Sequence, residues 1–157
     1  MTLPSAGKSV PVAAIVAAVG GLLAIVSAFM DWATAKMGTA SQSVGGLDKN
    51  YMNGKTEIVL GIVVLALVAA WILNMKIPFI GMLLVVVGVA ILAVPLATYL
   101  TTFYYTPSLK DTADAISKAG GSASFGIGFI LAAVAGIVTI VGGAMSVLGH
   151  AGNPPTR

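Results

Sequence analysis

The chain has 157 residues, of which 58% are hydrophobic and 8% charged. A water-facing domain carries about 25% charged residues, so eight basic and five acidic side chains exclude a soluble globule and leave a surface that must meet lipid. The net charge of +3 is scattered without a Lys/Arg cluster, which excludes a nucleic-acid footprint, and the absence of cysteine excludes disulfides, thiolate metal sites and Cys nucleophiles.

A short polar lead with Lys8 precedes Pro11 to Met30, an uncharged apolar run. About 20 such residues span about 30 Å of hydrocarbon as a helix, and Pro11 suits a first helical turn because its missing N–H is harmless there. A signal peptide is the alternative, with Lys8 ahead of the run and Ala33-Thr34-Ala35 as a small-residue cleavage site. The run exceeds the usual apolar length of about 7–15 residues for such a leader, which favours a retained span over residues 10–30.

The longest polar interval follows, from Asp31 to Glu57, and holds three of the five acidic residues. Ile58 to Met75 is the second predicted span, with Trp71 near its far end, where an amphipathic indole favours the interface. Lys76 and Pro78 predict a tight turn into a third span, Ile77 to Leu100, with a kink expected at Pro95. Tyr99, Tyr104 and Tyr105 read as an interfacial belt. Thr106 to Gly121 predicts a short surface helix, capped by Thr106, opened by Pro107 and closed at Gly120-Gly121. Ala123 to Leu148 is the fourth span, and the Pro-containing tail, 149–157, is expected to be disordered. The fold class is thus an all-α membrane protein in a single domain: a four-transmembrane-helix bundle with a long polar loop after helix 1.

The two halves share an order of span, aqueous segment and glycine-led span, starting at Gly54 and at Gly121, which suggests parallel internal repeats. Helix association in lipid relies on small residues that let backbones approach closely. Ala13, Ala17 and Gly21 form one four-residue stripe, and Gly128, Ala132 and Gly136 another; these are the expected packing surfaces. Trp32, Trp71, Tyr99, Tyr104 and Tyr105 are the expected interface anchors. Asp31, Asp48 and Glu57 are candidate recognition residues of the polar loop. Glu57 also has a structural role, since a carboxylate is favoured at a helix N-terminus.

No catalytic constellation stands out. The single histidine, His150, lies in the tail, no His/carboxylate metal spacing occurs, and no phosphate loop is present. With the second span starting at Ile58, no span interior holds an ionisable side chain, which argues against a proton relay or ion-coupled carrier. No enzyme activity, cofactor, metal or nucleic-acid partner is expected.

Trp32, a loose glycine-rich opening over Asn50 to Gly61, and Ser124-Phe125-Gly126-Ile127-Gly128 together resemble short motifs of small four-span bacterial membrane proteins. That resemblance implies a four-helix fold and no activity. Claudin-like proteins share the topology and the long first loop, but their paired cysteines and Gly-Leu-Trp motif are missing here, so their junctional role is not carried over. The expectation is a non-catalytic integral membrane subunit. It would sit in a bacterial cell membrane with both termini cytoplasmic, and its partners would be lipid and either itself or other membrane subunits. A small carrier or pore for an uncharged or apolar solute, and a lipid-binding scaffold, are the alternatives.

Overall fold

The computed structural model describes residues 11–48, 53–75, 77, 79–100 and 107–151. In chain order the elements are α1 (Val12–Ala28), β1 (Asp31–Met37), β2 (Ala40–Gly45), α2 (Gly54–Ile72), α3 (Ile80–Leu100), α4 (Pro107–Lys118), β3 (Ser122–Phe125) and α5 (Ile127–Ala151). Three helices, α2, α3 and α5, are long and apolar enough to cross a membrane, and α1 is a shorter apolar helix of 17 residues. The protein is therefore mostly helical and membrane-embedded.

The side chains are arranged for lipid. Val12, Ile15, Val19, Leu22 and Val26 are exposed along one face of α1, while Ala13, Ala14, Ala17, Gly20, Gly21 and Ala24 are buried on the other. Large aliphatics outside and small residues inside is the pattern that hydrocarbon solvent selects. The helices pack side by side in the order α2–α1–α5–α3, and the sequence-adjacent pair α2 and α3 touches less than any of those three neighbouring pairs. Ala14, Ala17, Ala24, Val64, Val68, Leu84, Ile91 and Ala135 form the core between them.

Glycine sets the helix spacing at the α1–α2 and α3–α5 seams. A Cβ on Gly61 would stand 2.7 Å from the Gly21 carbonyl oxygen, and one on Gly21 would stand 3.0 Å from that of Gly61. Across the α3–α5 seam the relation repeats seven residues apart. Gly143 faces the Gly81 oxygen at 2.7 Å, and Gly88 faces the Gly136 oxygen at 3.1 Å. These are backbone-to-backbone contacts that any side chain would force apart.

The polar interval after α1 is not a plain loop. β1 and β2 form an antiparallel hairpin turning at Gly38, whose φ of 59° lies in the left-handed region that glycine adopts without steric cost. β3, from the other half of the chain, pairs antiparallel with β1, so the sheet order is β2-β1-β3. This corrects two expectations. Residues 123–125 are strand rather than the start of a span, because their backbone groups pair with Ala33, Thr34 and Ala35. The symmetry of the two halves also fails here, since α2 begins directly at Gly54 whereas Gly121 leads into a strand. At the other end, α5 runs through 149–151, residues expected in the disordered tail. The tight turn expected at Lys76 and Pro78 falls on positions outside the described residues, although Asn74, with φ of 56°, ends α2 just before it.

Candidate functional site

The end of α1, the start of α5 and the sheet converge on Trp32. Its side chain is wholly buried, and its indole Nε1 donates 2.8 Å to the Ser27 carbonyl oxygen. That carbonyl belongs to the last turn of α1, where acceptors lack helical partners. The ring meets Phe129 edge-on at 6.1 Å, Phe129 stacks on Phe125 at 4.4 Å, and Phe125 touches Tyr99 at 5.4 Å. Glycine makes room for the indole on two sides: a Cβ on Gly128 would come 2.7 Å from Trp32 Cδ1, and one on Gly46 would come 2.5 Å from Nε1. Trp32 is therefore a wedge joining sheet to helices, rather than an anchor at the lipid headgroups.

Beneath this cap lies Glu57. Its side chain is completely buried, and neither carboxylate oxygen has a hydrogen-bond partner. The sequence pattern places it at the aqueous end of a helix beginning at Ile58. The helix in fact begins a turn earlier, at Gly54, and Glu57 falls on the inward stripe Gly54, Glu57, Gly61, Val64 and Val68. Its place in the first turn, favourable for a carboxylate, stands. The opening of α2 is tied across to α3 by Asn53, whose Nδ2 donates 3.0 Å to Thr98 Oγ1, and the Thr98 hydroxyl donates 2.9 Å to the Val94 carbonyl oxygen. Gly54 closes the same corner by donating its N–H 2.8 Å to the Gly46 oxygen.

The other expected residues scatter. Asp31 and Asp48 are exposed on the cap, and the Asp48 N–H donates to the Gly45 oxygen. Trp71 packs half-buried against the core, and Tyr99 is half-buried in the aromatic chain beside β3; Tyr104 and Tyr105 lie outside the described residues. All six stripe residues are buried, yet they do not serve one common seam. Gly21 meets Gly61 of α2, Gly128 meets the Trp32 corner, and Gly136 meets Leu92 of α3. The α1–α5 contact itself runs through Gly20 against Thr139 and Ala135, and through Ala13 and Ala17 against Gly142. The seven-residue spacing shared by Gly81/Gly88 and Gly136/Gly143 was the sequence signal for the α3–α5 seam.

A groove of about 250 Å³ opens at the opposite end, lined by Ile77, Phe79, Ile80, Met82, Ser146 and Val147. It brings together one hydroxyl and otherwise apolar groups, on a lipid-facing surface. Among the described residues no group of three or more His, Cys, Asp or Glu side chains is placed to hold a metal ion. Comparison of the chain with protein-family models and with curated protein sequences gave no match.

Proposed function

We propose that the protein is a non-catalytic four-span membrane subunit that works by contact, with its extramembrane sheet as the recognition surface. α1, at 17 residues, reaches the lower end of the length that crosses a bilayer, about 17–25 residues, and so serves as the fourth span. Both termini then lie on the side of the α2–α3 turn, assigned here to the cytoplasm, and the cap faces outward.

The observation that carries this reading is the sheet order β2-β1-β3. Segments far apart in sequence combine into one small sheet whose outer strands have no further strand beside them among the described residues. Ala40 to Ser43 on β2 and all four residues of β3 are exposed. Open strand edges are templates for pairing with another chain, and a cap wedged onto the helices by Trp32 holds them in a fixed pose. The partner is a second copy or another membrane subunit with an extended segment.

The chain has no cysteine, so single-cysteine variants report cleanly. Ser43→Cys and Ser124→Cys, treated in native membranes with a short bifunctional thiol–amine cross-linker, are expected to give one defined adduct each. The same cross-linker on Gly149→Cys, at the other end of α5, is the control. Monomer only from both cap positions, or the same adducts from all three, would overturn the reading.

A further inference from the structure

A carboxyl group buried without a partner needs an explanation, because desolvating a charge without a counter-charge is among the costliest arrangements in a folded chain. Among the described residues nothing around Glu57 supplies that counter-charge. α1 contains no ionisable side chain, and α3 contains only Tyr99, which is engaged with Phe125. On the cap side, Asp31, Lys36 and Asp48 are exposed, as is Lys55 on α2 itself.

A second acceptor stands on the same level. The Asn53–Thr98 bond registers the start of α2 against the end of the antiparallel α3. One turn inward on each helix, about 6 Å deeper, brings Glu57 level with Val94 and Pro95. Proline has no N–H to give to the carbonyl four residues earlier, so the Ile91 oxygen loses its helical donor there. Ile91 and Pro95 are both wholly buried on the inward face of α3. The same level therefore holds an unpartnered carboxylate, a backbone carbonyl released from the helical ladder and, one turn outward, the Thr98 hydroxyl. All are oxygens, gathered near the level that the Asn53–Thr98 bond registers.

We propose that Glu57 is the binding group for one small monovalent cation, a proton or an alkali-metal ion, held at the inward face of α2 with the Ile91 carbonyl and Thr98 hydroxyl of α3 as the nearest further oxygens. One carboxylate balances one positive charge. A divalent ion would leave a net buried charge and calls for more carboxylates than the site provides. The site does not depend on the recognition role of the cap.

The test uses the full chain in liposomes and the apolar reagent dicyclohexylcarbodiimide. A protonated carboxyl adds across the carbodiimide, its proton passing to one nitrogen. The O-acylisourea then rearranges to a stable N-acylurea with no leaving group, and the adduct is located by peptide mass. Glu57 is expected to be labelled, and Glu57→Gln to lose that adduct. Labelling should fall about tenfold per pH unit once the carboxyl is largely ionised. If sodium chloride slows labelling at fixed pH while choline chloride does not, the ion is an alkali metal. If only pH matters, it is a proton. Absence of any Glu57 adduct across the pH range in which the protein stays folded would overturn the proposal, and so would labelling indifferent to both pH and sodium. The wild-type measurements stand even if Glu57→Gln does not fold.

Discussion

Gly143→Ala tests the claim that glycine backbone contact sets the helix spacing. The new methyl would stand 2.7 Å from the Gly81 oxygen and 2.7 Å from the Val85 nitrogen, both backbone atoms of α3. Raising 2.7 Å to the 3.4 Å of ordinary contact parts the helices by about 0.7 Å, a gap at which neighbouring atom pairs forfeit about a quarter to a half of their dispersion energy. Overpacking of this kind costs about 1–3 kcal/mol. Alanine gains about 1 kcal/mol over glycine in a helix, so the substitution needs a reference with the gain alone. Gly149→Ala provides it, because a Cβ there meets nothing within 4 Å on the same helix. Thermal unfolding followed by circular dichroism in one detergent should place Gly149→Ala at or above wild type. Gly143→Ala should be about 1–3 kcal/mol less stable than Gly149→Ala. Equal stability of the two variants would refute the close-contact account of the α3–α5 seam.

Trp32→Ala should cost about 3–5 kcal/mol, the usual loss for a large buried aromatic. Trp32→Phe should cost less while leaving the Ser27 carbonyl without its indole donor; urea unfolding would rank the two, and equal losses would contradict the wedge. Gly38→Val should weaken the β1–β2 hairpin by about 1–2 kcal/mol through its left-handed backbone, read as faster hydrogen exchange over β1 and β2 than over α5. Asn53→Ala should lose about 0.5–1.5 kcal/mol with its bond to Thr98, measured by the same unfolding series. Glu57→Leu, which removes two unpartnered buried oxygens, should raise stability by about 1–3 kcal/mol when no bound cation compensates them; a loss of stability at alkaline pH in a choline-based buffer free of alkali-metal ions would contradict the absence of internal partners.

The apolar runs and the inward small residues were legible in the sequence, because lipid imposes a simple code of apolar length and small-residue spacing. Ala13, Ala17, Gly21, Gly128, Ala132 and Gly136 are buried for that reason. Which helix each one meets was not legible, because Gly21 and Gly136 choose their neighbours through the side-by-side order of the helices, which no single stripe encodes. The sheet was hidden for a related reason. Ser122–Phe125 is four residues long and becomes a strand only by pairing with β1, about ninety positions away, and strand formation of that kind is set by tertiary context rather than by local propensity. Glu57 turned on one helical boundary. Starting the second helix at Ile58 leaves the carboxylate in water, whereas starting it at Gly54 carries the carboxylate onto the Gly61–Val64 face. The spacing Gly54, Glu57, Gly61 was visible in the sequence and was the clue to that face.

The central claim, that the protein acts by contact through its cap, is tested most directly by the native mass of the full chain released from membranes in lipid nanodiscs, compared between wild type and Ser43→Lys. A lysine on an outer strand blunts edge pairing without touching the helices. The account predicts a defined assembly, larger than one chain, in the wild type and a monomer in the variant. A wild-type monomer, or an assembly unchanged by the lysine, would contradict it.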